Sequence, residues 1–463
     1  MKKAIVLILI VLMLALSACS GQTSATQAAA STPAAQVAQD SSSGQQNPPA
    51  APPGGDSGSS TYTIIGAYTQ DGGTATKTAQ TYTAANADES AVYVKNSGTL
   101  TLTKATITTS GSTSSQDNSS FHGLNAAVLA AGGSTISLSD SSIATSGLGA
   151  NGAFATDANS SVTLANVSIQ VTADGGHGVM ATNGGSLTLT NVNINTAGAS
   201  SGAIATDRGG GTINVTGGTV TTSGKNSPTI YSTGNISASG GTMTATGAES
   251  AVIEGGNSIT LTDTKLSSTL QKWGVMIYQS MSGDAQGTKG TFTMTGGSLA
   301  YTPTSGPLFY VTNSTAVITL KGVTVTSGSG VLVKASAGDW GTSGSNGGTV
   351  IFTADGQALT GDLTADSISA ITLTLQNGSA LTGAINADHT AKSASLTLDA
   401  SSIWTVTKDS TLTSLVDASG ISGTTITNII GNGYTVTYDA SASPALNGQT
   451  YTLNGGGYLK PAS

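Results

Sequence analysis

At 463 residues the chain is long enough for roughly two or three ordinary domains, yet its composition argues against them. Charged residues are 8%, aromatics 4%, glycines number 62, and arginine occurs once, as Arg208. A single arginine cannot supply the many phosphate contacts of a nucleic-acid protein, and a formal charge of −8 is too small for a charge-driven disordered chain. A helical bundle would need far more Leu, Glu, Lys and Arg. What remains is an all-β or repetitive architecture rich in β-branched residues.

The chain opens with Lys2 and Lys3, followed by an apolar run over residues 4–16. That run is short for a spanning helix and suits the apolar region of a signal peptide. The only cysteine, Cys19, cannot form an internal disulfide. Leu16-Ser17-Ala18-Cys19 resembles the lipobox of bacterial lipoproteins, which implies a signal peptide over 1–18 and lipidation of Cys19. Removing those residues takes away two lysines and no acid, leaving 13 basic against 23 acidic side chains. This balance favours solubility and offers no attraction to anionic membranes or nucleic acid. Lipid chains contribute about 0.8 kcal/mol per buried CH₂, so the expected location is the bacterial cell envelope, anchored to a membrane and surface-exposed. Residues 19–60, rich in Ser, Ala, Pro and Gln with only Asp40 and Asp56 charged, bury no core and read as a disordered tether.

From about Thr61 the chain repeats itself. A first segment recurs as Ala91-Val-Tyr-Val, Ala127-Val-Leu-Ala, Ala153-Phe-Ala-Thr, Val179-Met-Ala-Thr and on to Val331-Leu-Val-Lys, in steps of 22 to 36 residues. A second segment carries an apolar pair, such as Leu100/Leu102 or Leu187/Leu189, with Ser, Thr or Asn always between. Five positions after the second member stands another apolar residue, from Ile107 and Ile143 to Leu299 and Val325, in all nine units. Period-two alternation makes these strands with one buried face. Three short strands per ~24 residues, set between Gly, Asn, Asp and Ser turns, make one coil of a parallel β-helix, and the crossover rule makes it right-handed.

The expectation is therefore all-β: a right-handed parallel β-helix solenoid with three short strands per coil and terminal caps. The N-terminal cap is placed at 61–90, the coils at 91–430, and a C-terminal β cap with hairpin material at 431–463. Roughly 13 to 15 coils at ~4.8 Å each would make a rod of about 60–70 Å.

Gly178-Val-Met-Ala-Thr-Asn-Gly-Gly-Ser-Leu-Thr-Leu-Thr-Asn-Val-Asn-Ile194 resembles the right-handed β-helix repeats of pectin-lyase-like and autotransporter-passenger-like surface proteins. The resemblance covers nearly all of residues 61–460. It implies the fold and no single activity, because that scaffold hosts adhesins, lyases, hydrolases and passive stalks. More closely, the chain is similar to bacterial secreted β-helix surface proteins, which lend it no activity either.

Gly176-His177-Gly178 is similar to the Gly-His-Gly of polygalacturonases. The paired aspartates of those enzymes, an acid and a base about a water apart, have no counterpart here, and Ala155-Thr-Asp157 and Ala205-Thr-Asp207 lack their asparagine. His177 reads as a turn residue. A lyase would need carboxylates holding Ca²⁺ and a basic residue to abstract a proton. Asp157, Asn183 and Asp207 stand four residues after the starts of successive first strands, with Arg208 beside the last. Asp157 and Asp207 are then two coils apart, ~9.6 Å, too far to share one cation, so solvated turn acids are the plainer reading.

The first strand is apolar at consecutive positions, so one outward column is apolar whichever parity holds. With the first and third residues inward, that column is Val92, Val128, Phe154, Met180, Ile204, Ile230, Val252, Met276, Leu308 and Leu332, a contact surface tens of ångströms long. With the second residues inward, the small first residues face out instead. Insertions at 110–124, 271–290 and 335–348 lengthen turns, and the last two bring Trp273, Tyr278 and Trp340 into loops. Such aromatics suit sugar or protein binding, or pack the loops themselves. On the third strand, Thr-x-Thr pairs occupy four of nine coils, as a generic Thr-rich exposed strand would give, so no ice-binding array is expected there.

The leading expectation is a non-catalytic, cofactor-free surface protein acting in adhesion or in display of a protein- or glycan-binding surface. Its binding candidates are Trp273, Tyr278, Trp340, Phe154, Met180 and Met276. The alternative is a lyase or hydrolase acting on acidic polysaccharide, using Asp157, Asp207, Arg208 and His177, with Ca²⁺ entering only in that case. A structural stalk comes third.

Overall fold

A computed structural model describes residues 62–462. The lipidation site Cys19, the signal segment 1–18 and the tether 19–60 lie outside the described residues. Within them the chain winds as a right-handed parallel β-solenoid of about 16 coils. Sheet 1 stacks 12 strands, from β1 (Ile65–Asp71) to Asp362–Ala365; sheet 2 stacks 14, from β2 (Thr74–Thr78) to Ser414–Val416. Sheet 3 stacks 10, from β3 (Thr81–Ala84) to Thr324–Ser327.

The corner between the second and third strands sets the repeat. Lys104, Asp140, Asn166, Asn191 and Asp263 turn it with φ between 49° and 55°, a left-handed conformation that Asn and Asp tolerate better than most residues. One such residue, with one neighbour on its strand-2 side and two on its strand-3 side, produces the offset of five between Leu102 and Ile107. The corner side chains form a ladder: Asn166 Nδ2 donates to Asp140 Oδ1 at 3.1 Å, and Asn191 Nδ2 to Asn166 Oδ1 at 2.9 Å.

Inside, like stacks on like. Ile107, Ile143, Ile169, Ile194 and Val220 pair along successive third strands and all are buried. Apolar burial is worth about 25 cal/mol per Å², and only the next coil can supply the cover.

Within the stretch expected as the N-terminal cap, residues 65–84 form a coil in register with the next. β1, β2 and β3 pair in parallel with Glu89–Lys95, Thr99–Thr103 and Thr106–Thr109. The coil count therefore exceeds the 13 to 15 expected. This coil also closes its own lumen, because Tyr68, Lys77 and Tyr82 stand at the inward positions that pair with Val92, Leu102 and Ile107. The tyrosine rings lie 5.3 Å apart, with Lys77 Nζ 5.3 Å from the Tyr68 ring centre. At the other end, a fourth sheet of nine strands takes over from Ala358–Thr360. It includes the antiparallel pair Tyr451–Asn454 and Tyr458–Pro461.

Candidate functional site

Strand pairing settles which residues of sheet 1 face outward. One column runs from Tyr93 through Leu129, Phe154, Met180, Ala205, Tyr231, Val252 and Met276 to Tyr310. Phe154, Met180, Val252 and Met276 are outward, as one of the two parities required. Val92, Val128, Ile204 and Ile230 belong instead to the lumen core, as do Leu308 and Leu332. The strands pair one residue out of step with the apolar onsets that aligned them by sequence.

The column is not an exposed stripe. Phe154, Met180 and Met276 are only 0%, 1% and 3% exposed, which corrects their assignment as contact residues: the chain's own insertions cover them. Over the lower half lies helix α1 (Gln116–His122), capped at its start by the Ser115 side chain. It ends at Gly123, whose φ is 73° and where a Cβ would lie 2.8 Å from Leu129 and 2.9 Å from Phe154. Glycine there lets the helix press onto the apolar column. Gln116 Nε2 donates to Gly175 O at 2.9 Å, and Thr182 Oγ1 to Phe121 O at 2.8 Å, pinning the helix along the sheet.

Over the upper half, Val252, Met276, Tyr278 and Tyr310 form a second outer cluster with Tyr231, Trp273 and Trp340. Trp273 stacks on Tyr310 with ring centres 4.1 Å apart, and Lys272 Nζ sits 4.3 Å from the Trp273 ring centre. Trp340 meets Tyr278 at 4.8 Å. The three aromatics singled out in the sequence thus converge on one face: Trp273 and Trp340 lie in loops and are partly exposed, whereas Tyr278, expected in a loop, ends the strand Val275–Tyr278 and is buried.

Between the two covers lies a polar row. Two residues beyond the apolar column, Glu254 replaces what is otherwise an apolar strand and is buried. Tyr278 donates to its Oε2 at 2.8 Å, Tyr231 donates to the same oxygen, and Ser280 donates to Oε1. Burial first, and Glu254 second, push both phenols well above their ordinary pKa. The loop after Val275–Tyr278 folds back so that Asp284 Oδ1 meets Arg208 Nη2 at 2.7 Å. Arg208 also lies 3.9 Å from the centre of the Phe121 ring on α1. This one guanidinium therefore joins two insertions that are more than 150 residues apart in sequence.

Asp207, partly open to solvent, accepts the Arg208 backbone N–H at 2.7 Å. Burial, then the nearby Asp284, push its pKa up to about 8. At neutral pH it is mainly a neutral carboxylic acid, able both to donate and to accept a hydrogen bond.

The other catalytic candidates stand apart. Asp157 is exposed and accepts the Gly132 N–H at 3.0 Å, tying its turn to that of the preceding coil. It shares a corner column with Asn183 and Arg208, not with Asp207. His177 makes two contacts to Asn151 Oδ1, 2.8 Å from its backbone nitrogen and 3.0 Å from Nδ1, and burial lowers its pKa to about 4. Among the described residues neither shares a hydrogen bond or ion pair with Asp207 or Arg208. Among the described residues no group of three His, Cys, Asp or Glu side chains is placed to hold a metal ion.

No protein-family model matches the chain, and no curated protein or solved structure matches it. Function is therefore read from the residues alone. Sequence reasoning missed Glu254, Asp284, Tyr231 and Tyr310. Glu254 did carry a signal, as a lone acid closing the apolar Ala251-Val-Ile. Asp284 carried none, because a fold-back within an insertion leaves no periodic trace.

Proposed function

We propose that this protein is a lipid-anchored, surface-displayed β-solenoid that binds an extracellular glycan, without catalysis, on the outer face of sheet 1. One observation carries the reading: all three insertions fall beside strands of sheet 1, where Trp273, Trp340 and Asp284 from the insertions meet Tyr310 and the Asp207–Arg208 turn on a single face. In solenoids, insertions gathered on one face mark the binding side. Stacked aromatics suit sugar rings, and carboxyl and guanidinium groups suit their hydroxyls. The lipobox-like Leu16-Ser17-Ala18-Cys19 supports placing the protein on the bacterial envelope. The likeness to pectin-lyase-like and autotransporter-passenger-like repeats supports a surface role.

One observation favours a second reading. A carboxyl that keeps its proton at neutral pH, Asp207, beside the carboxylates Glu254 and Asp284, is equipped as a general acid for a polysaccharide hydrolase or lyase. A glycan array, paired with reducing-end and unsaturated-uronate assays on the bound glycans, separates the two. The binding reading expects retention without product, with affinity lost at least tenfold in Trp273→Ala. Product formation abolished by Asp207→Asn would establish the enzyme instead.

A further inference from the structure

Sheet 2 carries a different surface. Nine successive strands, from Thr74–Thr78 to Lys289–Thr295, pair in register without a bulge. In the common register each turns three side chains outward, 27 positions in all, and 26 of them are Thr, Ser or Asn. The exception is Ala165. The middle column begins Thr76, Thr101, Ser137, Thr163, Thr188 and ends at Thr293. None of the 27 is charged or aromatic, and none is buried. The array stops where Lys321 and Asp355 pair at 3.3 Å on the next two strands.

The spacing is regular in two directions, ~4.8 Å from strand to strand and ~6.8 Å between alternate residues. The insertions that cover sheet 1 leave this face bare. The interrupted Thr-x-Thr pairs of sheet 3 have no such regularity.

The chemistry selects the occupant by what is missing. A protein partner would be anchored by Trp, Tyr or Arg, and a sugar by aromatic stacking; this face offers neither. Nucleic acids and anionic lipids need several cations; the 27 positions hold none, and Lys289, at the margin of the last strand, is the one that shares their outward side on these strands. What the face does offer is a rigid grid of hydroxyls, each threonine setting a methyl beside its oxygen. Only a periodic, uncharged, hydrogen-bonding ligand uses regularity along both axes at once. The oxygen lattice of ice has repeats of this size, and the absence of charge leaves no tightly held liquid shell to keep it off. We propose that the outer face of sheet 2 between Thr74 and Thr295 binds ice, independently of any ligand on sheet 1.

The test is thermal hysteresis and ice-recrystallisation inhibition by the full chain in supercooled buffer, beside an equal concentration of serum albumin. The wild type should hold a gap between melting and growth temperatures and should facet the crystals. Thr163→Lys/Thr188→Lys, in the middle of the grid and at exposed positions, should abolish both effects with its circular dichroism and melting curve unchanged. Thr221→Lys on sheet 3 and Trp273→Ala on sheet 1 should retain them. Three results overturn the proposal: no activity above albumin, activity surviving the double lysine variant, or sedimentation showing the face occupied by a second copy that the same variant releases.

Discussion

Asp207 and His177 give the fold opposite responses to pH. Burial, Asp284 and Glu254 hold Asp207 at about 8, whereas an aspartate in the unfolded chain ionises near about 3.9. Between those values the unfolded chain has released a proton that the folded chain keeps, so stability falls as pH rises. His177, half-buried, is lowered by desolvation to about 4, against about 6.5 when unfolded. Its contribution is complete above about pH 6.5 and is lost as pH falls toward 4, because only the unfolded chain takes up the proton. The two slopes oppose each other from about pH 4 to 6.5, and above that His177 no longer offsets Asp207. Stability should therefore stay nearly level to about pH 6.5 and then decline toward pH 8. In Asp207→Asn the decline should become much shallower, with a gain on the order of 2 kcal/mol near pH 8 once partial exposure is allowed for. Urea unfolding at about pH 5, 6.5 and 8 measures this; a variant that declined as steeply as the wild type above pH 6.5 would place the cause elsewhere, in acids such as Glu249 or Asp417 that burial also raises.

At the scale of elements, legibility followed periodicity. The offset of five was readable because the corner keeps one length from coil to coil, turned by a single left-handed residue such as Asn166 or Asn191 or by a Gly-Gly pair such as Gly217-Gly218. The parity of the first strand was not readable. Both of its faces are apolar, one lining the lumen and the other lying under the insertions, so alternation gave no phase and the outward column was misaligned at Ile204 and Ile230. The meeting of Arg208 with Asp284 and Phe121 was equally silent, since it depends on how two aperiodic insertions fold back. That junction makes its own prediction. Arg208→Ala removes an ion pair at a half-exposed site, worth about 0.2–1 kcal/mol, and a cation–π contact of about 0.5–1 kcal/mol. Global stability should barely change, yet the loop at 279–288 should lose its tie to α1. Hydrogen exchange in that loop should quicken several-fold, with sheet 2 unchanged. Uniform acceleration along the chain would mean that Arg208 supports the coils and not the loop.

Over the whole molecule, stability is a matter of neighbours, and the ends are where a neighbour is missing. A coil buries its apolar face only against the next, and a parallel sheet that simply stops leaves strand edges able to recruit another chain. The N-terminal coil meets this with Tyr68, Lys77 and Tyr82, one inward side chain from each strand, so that a charge stands where the column below it is leucine. An inward charge at an edge opposes strand addition, because a docking coil would bury the ammonium without a partner. Lys77→Leu continues the column of Leu102 and Leu138 without altering any strand pairing, and it presents an apolar lumen mouth framed by three edges that no described strand pairs. The variant should fold as the wild type does and associate end to end, visible in sedimentation velocity as a concentration-dependent species of twice the mass. Lys77→Arg, which keeps the charge, should remain monomeric under the same conditions. If Lys77→Leu also stays monomeric, closure of this end rests on the two tyrosines, and Tyr68→Ala/Tyr82→Ala becomes the variant expected to associate.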